Sequence, residues 1–340
     1  MKIYQLGGSI RDELLGQAHK DKDWLVVGSS PEEMINKGFK PIGKDFPVFI
    51  HPDSKEEYAL ARTEKKSGYG YKGFTFYFGE DVTLEEDLSR RDFTINAIAR
   101  DKDKNLIDPF DGIKDIESKT FRHVSDAFLE DPLRAIRIAR FKTYPHLNDF
   151  VIAKTTEEML TTISKSNELG KLSKDRIWIE IERSLQSKYA SEFFKLLLNF
   201  NLITPWLERL TNPDCSDDNS AEIKWAELEA KNNFELGKNI PVPNNFKLYV
   251  GLLKSLIKCE ENLPQNDLIT CIEKLNFHRN EKEMIALLNL EILSSNKDFI
   301  TKLASNVLAE DFTSLKEVSK NEVKNVKLHL IKKAIKNTYA

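Results

Sequence analysis

Two aspartates, Asp21 and Asp23, stand one residue apart in "DKDWLVV", ahead of an apolar run that reads as a buried strand. Side chains alternate along a strand, so these two carboxylates share a face and can hold divalent cations together. In-line nucleotidyl transfer needs such a pair: one metal activates an attacking 3′-hydroxyl, the other neutralises the leaving pyrophosphate. A solvated strand entry is the plainer use of D-x-D, but the pair follows shortly after a turn of phosphate-binding type. The stretch "EEYALARTE" offers Glu57 as a third carboxylate from a neighbouring strand, with Glu56 and Glu64 competing for that role.

That turn is "KIYQLGGSIRD", where an apolar run stops at Gly7 and Gly8 and resumes as a helix. A Gly-Gly junction lets backbone N–H groups approach a phosphate, with Arg11 one turn in as a charged partner; a plain tight turn is the alternative. No G-x-G-x-x-G is present, and "GYGYKGFT" has Phe74 where a P-loop needs Lys. In "RRDFTINAIA", Arg91 can reach a triphosphate, while Asp92 and Asn96 fit structural hydrogen bonding as well as ligation.

The stretch "EDPLRAIRIAR" spaces Asp131, Arg134, Arg137 and Arg140 by threes along one side of a helix. Asp131 before Pro132 also suits a helix cap with proline at the first helical position. An Asp–Arg pair can read a base edge, the carboxylate accepting from an exocyclic amine and the guanidinium donating to the adjacent ring nitrogen. Cytosine and adenine present that pattern; uracil and guanine present a carbonyl beside an N–H. One pair can therefore accept C and A, and unpaired groups in such a site discriminate by on the order of 10⁴-fold.

These residues need a scaffold. From Met1 to about Asp126 short apolar or β-branched runs alternate with glycine turns ("KIYQL", "DWLVVG", "FPVFI", "EYALART", "GFTFYFG", "INAIARD", "NLIDPFDG"), predicting an α/β region. From "DAFLEDPLRAIRIARF" onward the apolar spacing is helical almost throughout. The Asn-, Asp- and Ser-rich stretch 211–222 predicts a loop between helical subdomains.

The 340 residues suffice for two or three domains, and 51 basic against 54 acidic residues give no global signature of nucleic-acid binding. No apolar run approaches a membrane span and no signal-peptide pattern opens the chain, so it reads as cytoplasmic with no membrane partner. Cys215, Cys259 and Cys271 form no metal-binding spacing and read as buried thiols. None of the six histidines is followed by Asp, so the dyad of a metal phosphohydrolase is missing.

Taken in order, "GGSIRD", "DKD", "EYALARTE", "RRDFTINAIA" and "EDPLRAIRIAR" closely resemble the class II tRNA nucleotidyltransferases, the CCA-adding enzymes, in their bacterial form. The resemblance covers roughly residues 1–210, including a helical stretch around "LSKDRIWIEIERSL". It implies a polymerase-β-like α/β head with a mixed sheet and helices over 1–126, then an all-α neck for base selection over 127–210. An all-α body and tail over 211–340 would hold tRNA. The implied activity is template-independent addition of C, C and A to a tRNA 3′ end from CTP and ATP, with Mg²⁺ as cofactor. By the same resemblance Gly8 and Arg11 match the nucleotide-binding turn, Asp21 and Asp23 the magnesium ligands, and Arg91 a triphosphate contact. Asp131 and Arg134 match the base-reading pair, Arg137 and Arg140 further nucleotide contacts, and "KKSGYGYKGFTFYFGED" the loop implicated in switching from C to A.

The chain departs from this pattern after about residue 210, where close bacterial relatives commonly continue into a His-Asp phosphohydrolase domain. Hydrolytic side activities are therefore not expected. From Lys316 the chain carries seven Lys against two Glu, a local excess that fits tRNA backbone contact or a solvated helix face. A bacterial poly(A) polymerase using ATP alone shares nearly all these motifs and is the competing reading. A non-catalytic RNA-binding protein with a degenerate head is a third, opposed by the intact aspartate pair.

Overall fold

The computed structural model describes residues 1–18, 22–42, 48–66, 74–313, 319 and 322–340. Asp21, the glycines of the expected switching loop at 68, 70 and 73, and Lys316 lie outside the described residues. The chain divides into two units, Met1–Glu208 and Arg209–Ala340.

The first unit opens with β1 (Lys2–Leu6), α1 (Gly8–Leu14), β2 (Asp23–Val27), α2 (Pro31–Asn36), β3 (Lys40–Ile42), β4 (Val48–Ile50) and β5 (Glu57–Leu60). It continues through β6 (Thr63–Lys66), β7 (Phe74–Tyr77), α3 (Leu84–Ser89), β8 (Ala99–Arg100), β9 (Leu106–Ile107), α4 (Gly112–Glu117) and β10 (Thr120–Phe121). Seven strands form one sheet in the order β3-β4-β5-β2-β1-β8-β9, with β2 and β5 parallel and the other neighbours antiparallel. β6 and β7 pair separately as an antiparallel ribbon.

The sheet is covered on both faces, which is why its strands read as nearly unbroken apolar runs. Leu6, Leu25, Leu88 and Ala99 pack on one face, and Val26, Met34, Phe49, Tyr58 and Leu60 on the other. Local chemistry sets the helix starts. The Ser30 hydroxyl accepts from the Glu33 N–H ahead of Pro31, and Thr83 with Glu86 forms a reciprocal capping box on α3.

Then come α5 (Leu133–Phe141), β11 (Val151–Ile152), α6 (Lys154–Lys165), α7 (Lys174–Leu185) and α8 (Ala190–Asn199). β11 is a short exception within the mostly helical region: it pairs parallel with β10, Thr120 opposite Val151, which two residues of apolar sequence do not announce. "INAIARD" also differs from a simple strand, since Thr94–Asn96 form a 3₁₀ turn and only Ala99–Arg100 join the sheet. Phe93, Phe121, Phe128 and Phe141 pack edge to face at centroid distances of 5.7–5.8 Å around Phe93, joining the sheet region to α5.

The second unit holds α9 (Ala221–Lys231), α10 (Asn244–Ile257), α11 (Gln265–Leu275), α12 (Phe277–Leu287), α13 (Lys297–Leu308) and α14 (Val323–Tyr339), around a core including Leu253, Leu268, Leu287 and Ile300. Residues 211–220 are non-helical, and polar groups of α9 and its end hold them. The Asn232 side-chain oxygen accepts from the Thr211 and Asn212 N–H groups, and Glu227 accepts from Ser216 N–H. Cys215, Cys259 and Cys271 are free and buried; burial pushes the Cys259 thiol up to about 12, so it is inert at neutral pH.

Candidate active site

The first residues of β2 and β5 stand opposite each other, Asp23 against Glu57, with Leu6 of β1 on the far side of Asp23. In-register residues on neighbouring strands project to the same face, so both carboxylates border one cavity of about 430 Å³. The competition for the third carboxylate is separated by bonding. Glu56 accepts from the Trp24 indole N–H at 3.1 Å, and Glu64 accepts from Arg62 at 3.0 Å and Arg90 at 2.8 Å. Glu57 alone of the three is in register with Asp23. Among the described residues no three His, Cys, Asp or Glu side chains cluster as a metal site; Asp21 lies outside that set.

The same cavity is lined by guanidinium groups: Arg62 after β5, Arg90 and Arg91 after α3, Arg134 and Arg137 on α5, and Arg176 on α7. Buried carboxylates fix them. Asp87 is fully buried and pairs with both Arg90 and Arg91; burial works to raise its carboxyl, but the two guanidinium groups hold it below the usual range. Asp92 accepts from Arg137 Nε at 2.9 Å and from the Asn96 amide at 3.0 Å. Burial again opposes ionisation there, and the Arg137 charge with the Asn96 hydrogen bond brings Asp92 down to about 2.

Gly7 answers for its own presence. Its φ is +67°, its N–H donates to Ile98 O at 3.1 Å, and a Cβ there would lie 3.4 Å from Arg91 Nη1. The junction therefore seats an arginine of the cavity wall. Gly8 and Arg11 do not line the cavity: Arg11 is buried, donating to Asn96 Oδ1 at 2.6 Å and pairing with Asp12 at 2.8 Å.

Asp131 takes the place expected of it at the helix start and also meets a partner that the sequence did not suggest. One carboxylate oxygen accepts from the Leu133 N–H at 3.2 Å at the start of α5, and the other pairs with Arg176 Nη2 at 2.7 Å. Arg134 beside it is buried and oriented by two carbonyls, Ala127 O and Arg90 O, each 2.6 Å from a terminal nitrogen. Arg140 parts from its neighbours. It pairs with buried Glu180 at 2.5 Å, donates to the Tyr144 hydroxyl and is absent from the cavity wall. At 3.6 residues per turn, steps of three drift by about 60° each, so the third arginine looks elsewhere.

Arg90, Arg62 and Arg176 were not singled out by the sequence. The Arg doublet at 90–91 was a usable signal for the first. Nothing in the spacing of "LSKDRIW" points to Arg176, whose role exists only because α7 packs against α5.

Two carboxylates at the starts of adjacent strands share one cavity with several arginines, on a mixed sheet followed by helices, an arrangement of the kind nucleotidyl transfer requires. The family described as "Poly A polymerase head domain" matches residues 3–122, and "Probable RNA and SrmB- binding site of polymerase A" matches 149–212. A CCA-adding enzyme of Actinobacillus succinogenes is 40% identical over 298 residues, covering 84% of this chain and 73% of that protein. The chain belongs to the CCA-adding enzyme family. A multifunctional CCA protein of Acinetobacter baylyi is 51% identical over 197 residues, 58% of this chain, and the chain spans 48% of that relative's length. The crystal structure of the Bacillus stearothermophilus CCA-adding enzyme in complex with CTP shares the fold, with a TM-score of 0.65, 23% identity, and coverage of 98% of this chain and 88% of that one.

Proposed function

We propose that this protein adds C, C and A to the 3′ end of tRNA from CTP and ATP, releasing pyrophosphate. The observation that carries the reading is that Asp23 and Glu57 line one cavity together with Arg91, Asp131 and Arg134. Nucleotidyl transfer in this family is metal-dependent. The hard oxygen donors of Asp23 and Glu57 fit Mg²⁺, with Asp21 as the partner ligand implied by the sequence. When bound, the metal lowers the cost of deprotonating the RNA 3′-hydroxyl and neutralises the leaving pyrophosphate.

The chain's own residues do the rest. Arg91, seated by Gly7 and Asp87, binds triphosphate oxygens as a fixed donor. Asp131 keeps lone pairs beyond those used by Leu133 N–H and Arg176, and these accept the exocyclic amine of cytosine or adenine. Arg134 donates to the adjacent ring nitrogen through the N–H groups its two carbonyl partners leave over. Arg137, tied to Asp92, completes the polar wall. Residues 127–210 serve base selection, and 211–340 hold the tRNA body in this reading. Such a substrate places the protein in the cytoplasm.

A tRNA lacking its 3′ end, given one nucleotide at a time, tests this. Two C residues should enter from CTP alone, and A only after them. Repeated A addition from ATP alone would indicate a poly(A) polymerase, a reading not favoured by the CCA-adding relatives. Absence of Mg²⁺-dependent pyrophosphate release would indicate a non-catalytic RNA-binding protein.

A further inference from the structure

Asp131 precedes α5 and Arg134 lies in its first turn, so opposite charges stand three residues apart, a spacing at which such side chains commonly close on each other. A pair closed in that way has its donors and acceptors turned inward, with none aimed at a base. Among the described residues the two form no ion pair with each other. Arg134 is held by the carbonyls of Ala127 and Arg90, each at 2.6 Å, and Asp131 is held by Arg176 Nη2 at 2.7 Å. All three side chains line the nucleotide cavity.

Stability does not account for Arg176. The side chains of its ion pair with Asp131 are 25% and 21% exposed, and ion pairs open to water add little to stability. α5 and α7 pack against each other and are already joined by the Arg140–Glu180 pair, whose side chains are 6% and 4% exposed. The helix gains nothing from it either. Arg176 is the third residue of α7, with its N–H donating to the Ser173 hydroxyl at 3.3 Å. A capping box would place Glu or Gln there, and the positive end of the helix dipole disfavours a cation.

We infer that Arg176 is a positioning residue for nucleotide choice: by holding the Asp131 carboxylate, it keeps the Asp131–Arg134 pair open for a base edge. The inference rests on the base-reading role proposed above for that pair. Without the Arg176 guanidinium, the carboxylate keeps the Leu133 N–H at 3.2 Å. Two other guanidinium groups of the cavity, Arg134 and Arg137, feel the Asp131 charge and can take its place. Capture by Arg134 removes the acceptor for the exocyclic amine and the donor for the ring nitrogen together. Discrimination between bases then falls, with the triphosphate contact at Arg91 left in place.

The test is a double-mutant cycle of Arg176→Ala and Asp131→Asn, read as the ratio of kcat/KM for CTP over UTP on a tRNA lacking its 3′ end. Arg176→Ala alone should lower that ratio about tenfold, roughly the contribution of one well-placed hydrogen bond to a charged group. In the Asp131→Asn background it should change the ratio by less than about twofold, because the charge through which it acts is gone. The tRNA KM and the melting temperature should stay near native. A native ratio in Arg176→Ala overturns the inference, as does an equal fall in both backgrounds, which would mean direct contact of Arg176 with the nucleotide. A change confined to the tRNA KM also overturns it, assigning the guanidinium to the RNA. Arg176→Gln, suited to this capping position, gives the same readout should the alanine variant fold poorly. If Asp131→Asn alone keeps the native ratio, the base-reading role fails and the inference falls with it. Should the unaltered protein add no C, the preference for CTP over UTP in equilibrium binding replaces the kinetic ratio, with the same cycle and the same outcomes.

Discussion

At the residue scale, Asp131 has an observed place at the start of α5 and a proposed role in base reading, which one substitution can separate. Asn keeps an acceptor for the Leu133 N–H, so Asp131→Asn should leave stability nearly unchanged, whereas loss of a cap costs about 1 kcal/mol. It also brings amide donors toward the base's amine and removes the charge facing Arg176. We expect UTP and GTP to gain on CTP and ATP in competition, with the KM for triphosphate little altered. Wild-type ratios for all four nucleotides would remove Asp131 from base reading. Asp92 makes the second residue-scale prediction. Its carboxyl lies at about 2 in the folded protein against an ordinary 3.8, so folding favours its ionised form. That stability is complete above pH 3.8 and is lost as pH falls toward 2, amounting to roughly 2 to 3 kcal/mol. Chemical denaturation of native protein and Asp92→Asn across this window should show a steeper acid loss in the native chain; parallel curves would show that Asp92 is not the group responsible.

At the scale of elements, the site depends on where strands and helices begin. β2 and β5 both start at a carboxylate, and their parallel register sets those carboxylates side by side. The β1–α1 junction is as demanding, since a left-handed backbone at Gly7 brings the chain against Arg91. Gly7→Ala should cost about 1 to 2 kcal/mol from the backbone alone. It should also raise the CTP KM by displacing Arg91, which thermal melts and initial rates can follow together. A variant with native CTP KM would show that the glycine serves only the turn. α5 illustrates a limit of helical spacing: Arg134 and Arg137 reach the cavity while Arg140 closes a buried pair with Glu180 on α7.

At the scale of the whole molecule, the two units divide the chemistry unequally. Every residue assigned here to nucleotide or metal lies before Glu208, and the second unit is a set of helices around its own apolar core. Among the described residues no helix is long and apolar enough to cross a membrane. Some relatives are described as multifunctional, yet no histidine of this chain precedes an aspartate. The purified chain should therefore not hydrolyse 2′,3′-cyclic phosphates in the presence of transition metals. Metal-stimulated hydrolysis that copurifies with C addition would place a hydrolytic site in residues that carry no such motif.

The sequence by itself determined the class of fold and nominated candidate site residues, because those rest on local rules. Strand alternation predicts a shared face for Asp21 and Asp23, a Gly-Gly junction marks a close approach, and apolar period separates the α/β part from the helical part. The order of the motifs then pointed to the family. Tertiary structure decided what depends on two segments meeting. It put Glu57, rather than Glu56 or Glu64, in register with Asp23, and brought Arg176 to Asp131 from 45 residues away. It withdrew Arg11 and Arg140 into buried pairs, and placed a short parallel strand, β11, where the sequence reads helix. A charged side chain has the same identity in a cavity wall or a buried ion pair; only the packing around it assigns which.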